Sequence, residues 1–138
     1  MSYYIRYVLT DDKPVTLPEL EAGMQEANPN YAIDGDVVVL EDDDYGLVEV
    51  NATGDGIFEG DVELLRDFAD EKENKDALLT ILQNAKSMVT VQPIWQGKDE
   101  DVTLDALDPL WQWLYTNRSG LLVYEGGNFT SESGEVIK

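Results

Sequence analysis

The side chains able to do chemistry in this chain are almost all carboxylates. Twenty-nine Asp and Glu face nine Lys and Arg, and the 138 residues contain no His and no Cys. The commonest general base and the best nucleophile are therefore both missing. Ser/His/Asp and Cys/His catalysis, thiolate zinc sites and His-based metal centres are excluded. What remains is chemistry by oxygen: paired carboxylates in acid–base roles, or carboxylates gathered around a hard cation.

The densest acidic run is Asp42, Asp43 and Asp44, a few residues after Asp34 and Asp36 on either side of Gly35. Asp34, Asp36, Asp42 and Asp44 would make an oxygen set for a divalent cation if folding gathered them. The plainer reading is a solvated hairpin tip whose charge discourages edge pairing. Asn51, Thr53, Asp55 and Gly56 match the opening of an EF-hand loop, but Val62 falls where a bidentate Glu is required. The run Gly54-Asp55-Gly56-Ile57-Phe58-Glu59-Gly60 stands between a strand and a helix, as a dinucleotide-binding loop does. Its third glycine is one place late, and Asp55, Glu59 and Asp61 would repel a phosphate from the helix N-terminus. It reads better as a turn with positive φ angles, and no cofactor is expected.

A formal charge of −20 argues against direct nucleic-acid binding through a basic footprint and against docking on an anionic membrane. Three readings of the acidity survive. It keeps the protein soluble, or it matches a basic protein partner such as a nuclease to be inhibited, or it adapts the chain to high salt. The aromatic residues supply a possible anchor. Residues 103 to 118 hold two of the three tryptophans, and at about 100° per residue Leu104, Leu107, Leu110, Trp111, Leu114 and Tyr115 share one arc. Trp111 belongs to a core beneath that arc. Trp113 falls at its margin, where a large aromatic can anchor a protein partner or a second copy in a homodimer.

These groups must be positioned by a mixture of strands and helices. Residues 3 to 9 alternate as a strand, and Thr16 with Glu19 forms a capping box for a helix ended by Asn28-Pro29. Residues 37 to 40 and 47 to 50 make a hairpin with the acidic run at its tip, preceded by a second turn at Asp34-Gly35. Asp61 is a candidate N-cap for a helix over 62 to 72, and a second helical pattern covers 77 to 86. As one straight helix their apolar faces would differ by roughly 130°, so a break falls near Asn74, which could cap the second piece.

Residues 88 to 95 read as a strand in which Pro93 indicates an edge position. The tryptophan helix follows, starting either at Thr103 or at Asp108 with Pro109 in its first turn. A terminal hairpin over 121 to 130 and a short stretch at Val136-Ile137 close the chain.

The sequence thus predicts a single α+β domain over residues 1–138. Its expected architecture is a two-layer sandwich with a ferredoxin-like βαββαβ core and an added C-terminal helix and β-hairpin. The opening residues have neither the basic start nor the apolar run of a signal peptide, and no stretch approaches about 18 apolar residues, so a cytoplasmic protein is expected. The function expected is a non-enzymatic interaction or regulatory module, of inhibitor or immunity type, with Trp113, Asp42, Asp43 and Asp44 at its partner-binding surface. The alternative is a small-molecule or divalent-cation binder using the acidic loops.

Overall fold

The computed structural model describes residues 3–95, 97–124, 127–130 and 136–138. Residues 125 and 126 of the expected terminal turn, and the expected Ser133-Gly134 turn, lie outside them. In chain order the elements are β1 (Ile5–Leu9), α1 (Leu17–Ala27), β2 (Tyr31–Asp34), β3 (Val37–Leu40), β4 (Asp43–Ala52), α2 (Ile57–Ala69), α3 (Lys75–Gln83), β5 (Ser87–Pro93), α4 (Glu100–Asn117), β6 (Gly120–Tyr124) and β7 (Asn128–Thr130). The seven strands form one antiparallel sheet in the order β2-β3-β4-β5-β1-β6-β7.

The α+β class holds, but the strand order is not ferredoxin-like. That order would place β5 at an edge beside β1, whereas β5 lies between β4 and β1 and pairs with both. The physical reason is that β5 is apolar on both faces. Val89 and Val91 enter one core cluster and Met88 the other, as suits an interior strand. Pro93 is accommodated at the strand's last residue. Its missing N–H would point towards β1 beyond their final pair, Ile5 and Val91, while the next amide, Ile94, donates to the Tyr45 carbonyl at 2.9 Å. The C-terminal hairpin is likewise not an appendage, since β6 takes the other side of β1.

Helix-on-sheet packing of the expected two-layer kind occurs on both faces. Ile5, Tyr7 and Leu9 meet α1 and α4 through Leu20, Met24, Leu107, Trp111 and Leu114. Val8, Leu121 and Val123 point the other way, towards Phe58, Leu65 and Ala69 of α2 and Leu78 and Leu82 of α3. A bulge in β4 serves the first core. Val38 pairs with Gly46 but Val39 with Asp44, so Tyr45 is an extra residue, and Tyr45 and Val48 reach the same side although three apart.

Local signals explain the helix ends. Thr16 Oγ1 accepts the Glu19 amide at 3.3 Å, as expected of an N-cap. The break before α3 is present, but Asn74 does not cap with its side chain; its amide and Nδ2 both donate to the main-chain oxygen of Lys138 at 2.9 Å. α2 starts at Ile57, well before the expected Asp61, because Asp55 Oδ1 accepts the Phe58 amide at 2.7 Å. α4 starts at Glu100, before both expected sites, with Glu100 and Asp101 favourably placed at the positive end of the helix dipole. Pro109 consequently sits inside the helix, where the carbonyl it leaves unbonded belongs to the exposed residue Asp105.

Candidate functional site

The two acidic turns are built as tight hairpins at opposite ends of β3. Between β2 and β3, Gly35 has φ +66° at the first central position, the place a type II′ turn reserves for glycine. Between β3 and β4, Glu41 and Asp42 have φ 51° and 71°, both left-handed as in a type I′ turn. Asp34 and Asp36 flank the first turn; Asp42 lies in the second, and Asp43 and Asp44 open β4 directly after it. Four residues of extended chain, about 13 Å, separate the two groups, so the set Asp34, Asp36, Asp42 and Asp44 is not brought together. Among the described residues, no group of three or more Asp or Glu could hold a metal ion. Asp42 and Asp43 are exposed. Asp44 is half-buried, and its carbonyl accepts Lys98 Nζ at 3.2 Å while that ammonium lies 5.1 Å from the centre of the Tyr45 ring.

Trp113 is half-buried and committed to the α1–α4 crossing. Its indole covers Gly23, where an added Cβ would stand 2.5 Å from Cδ2, and its N–H donates to Glu26 Oε2 at 2.8 Å. The glycine is what lets the ring approach the helix backbone. The rest of the ring faces a shallow depression shared with Ala27, Pro109 and Gln112. Trp111, in contrast, is 1% exposed and belongs to the core.

Sequence reasoning missed Arg118, which follows α4 and is buried. Its Nε and Nη2 both donate to Asp11, at 3.0 and 2.6 Å, and Nη1 donates to Glu19 Oε1 at 2.9 Å. Nη2 also donates to the Lys13 carbonyl. The guanidinium beside Asp11 holds that carboxyl below its ordinary value, against the opposing effect of burial, and the two carboxylates raise Arg118 in return. The group pins the end of α4 to the loop before α1. It is a closed, satisfied network and therefore a structural one.

The glycine-rich loop before α2 answers the phosphate question. Its amides are occupied by the chain's own carboxylates. Asp55 accepts from Phe58 and Ala52 at 2.7 and 2.9 Å, and Glu59 accepts from Gly54 and Gly56, both at 2.9 Å. These hydrogen bonds keep both carboxyls below their usual range.

A groove of about 690 Å³ opens between α2 and α3. Phe58, Val62, Leu79, Leu82 and Ala85 give it an apolar floor, and Glu59, Glu63, Asp67 and Asp70 stand along its α2 wall with Arg66. Spacings of four, four and three residues put these carboxylates on one stripe of the helix. Among the described residues, Glu63, Asp67 and Asp70 belong to no ion pair. A second open area of about 610 Å³ lies over the uncovered part of the sheet, lined by Tyr4, Leu47, Glu49, Thr90 and Gln92 among others.

Comparison with protein-family models, curated proteins and solved structures finds no match to this chain.

Proposed function

We propose that the protein is a non-enzymatic interaction module that binds a basic protein partner, in the manner of an inhibitor or immunity protein. The observation that supports this is the disposition of the acids. The ion pairs among the described residues engage only Asp11, Glu19 and Asp61, and most other carboxylates stand on exposed turns and helix faces. A field of this sign accelerates encounter with a cationic surface and rejects anionic ones. The acids are dispersed rather than converged, which suits recognition over a broad surface and not attack on one bond.

The test is affinity capture with the tagged protein at low and at high salt, followed by reconstitution with each purified protein recovered. The expected result is a basic partner whose association weakens steeply as salt rises. Recovery of no basic protein at low salt overturns the proposal.

A further inference from the structure

We infer that the groove between α2 and α3 receives a cationic amphipathic helix of the partner, an inference that rests on the basic-partner reading and gives it a place. The floor formed by Val62, Leu79 and Ala85 is half-buried, while on the wall Glu63, Asp67 and Asp70 form no ion pair among the described residues. The acidic wall belongs to α2 and its C-terminal end, and the apolar floor beside it is shared between α2 and the α3 side. That is the complement of a helix with an apolar stripe flanked by Lys or Arg.

Other occupants fit less well. A second copy would bring the same acidic wall and another −20 of charge. An extended segment needs a sheet edge to pair with, and the groove is walled by two helices whose backbone groups are bonded internally. Nucleic acid and anionic lipid are repelled. A helix carries its own backbone hydrogen bonds and needs only side-chain contacts, which is what the groove offers.

The dimensions set the partner's pattern. From Glu59 to Asp70 the stripe rises about 16 Å, or three helical turns, so the docked helix has about a dozen residues. Glu59 is tied to the loop amides but keeps its charge. Arg66 stands in the same wall and interrupts the acids. The matching helix therefore has separated cations, three or four residues apart, and not an unbroken basic run.

The probe is a fluorescent Leu/Lys peptide of about 15 residues, patterned as an amphipathic helix, with a scrambled peptide of equal composition as control. Binding is read by anisotropy at low salt, and its place by amide chemical shifts of the labelled protein. The expected outcome is preference for the patterned peptide, shifts along α2 and α3, and a loss of about tenfold or more in Glu63→Lys/Asp67→Lys. The same charge change at the hairpin tip, Asp42→Lys/Asp43→Lys, is expected to cost less than about twofold.

Should both pairs of substitutions weaken binding equally, or should the shifts fall elsewhere, the groove is not the site and the basic-partner reading stands. Absence of peptide binding, together with capture of no basic protein at low salt, overturns both. The shift map uses the wild-type chain, so the outcome does not depend on how the variants fold.

Discussion

Trp113 of α4 sits on Gly23 of α1, and its indole N–H reaches Glu26 one helical turn further along. Two helices that cover the same sheet face are thus locked by one ring over one missing side chain. A methyl group at Gly23 would meet the ring at 2.5 Å, far inside contact distance. Gly23→Ala is expected to destabilise the fold by about 1–3 kcal/mol, despite the better helix propensity of alanine. In the background of Trp113→Ala the same substitution should be neutral or stabilising. Thermal melts of the four proteins check this, and equal penalties in both backgrounds would show the contact to be unimportant.

Arg118 with Asp11 and Glu19 gives a second prediction. Arg118→Met removes the cation and leaves two carboxylates facing each other, at an expected cost of about 3 kcal/mol at neutral pH. Asp11 has its carboxyl lowered in the fold. Its contribution is present above the ordinary aspartate range and is lost as pH falls through the lower folded value. The gap between wild type and Arg118→Met should hold at neutral pH and close below about pH 4. Denaturant titrations across pH measure it directly.

The loop before α2 responds to acid in the same direction. Asp55 and Glu59 are both held low by backbone amides, so their stabilisation exists above the usual carboxylate range and disappears as pH drops through their depressed values. Glu59→Ala should lower the melting temperature and speed hydrogen exchange at Gly54 and Gly56. Exchange at those two amides unchanged from wild type would contradict the hydrogen bonds described.

Divalent ions should act on this protein only as salt. Asp34 and Asp36 lie at one end of β3 and Asp42 and Asp44 at the other, so calcium and magnesium at equal ionic strength should raise the melting temperature equally, by screening self-repulsion. Sodium chloride should do the same at higher concentration. A calcium-specific rise, or heat on calorimetric titration, would contradict this and reveal a cation site not formed among the described residues.

What the sequence discloses here is what short range decides. Alternation in β1, the Thr16 cap, the break before Asn74 and the burial of Trp111 can all be read from neighbouring residues. Strand order could not be read that way. β1 pairs with β5 and β6, each far along the chain, and Pro93 pointed to an edge because its local meaning does not include where its partner strand stops. The expected α2 start at Asp61 rests on residue type alone, whereas the helix opens at Ile57, where Asp55 two residues before it takes the Phe58 amide. Trp113 is half-buried, as its place at the margin of the arc suggests, but its packing on Gly23 cannot be read from the sequence, because the partner's role is to be absent. Arg118 gave no signal beyond lying next to a helix end. Of the acidic residues expected to act together, the turns at the two ends of β3 were identified but not their separation.

The place of β1 in the sheet also determines when it can be satisfied. Both its neighbours are made late: β5 is complete only at Pro93 and β6 at Tyr124. β2, β3 and β4 can zip together as successive hairpins while β1 still waits with Ile5, Tyr7, Val8 and Leu9 uncovered. Of the seven strands, the first to be synthesised is therefore one whose two neighbours both come late. Folding of this chain should be slow for its size, limited by closure of these long loops, and most open to misassociation before β5 appears.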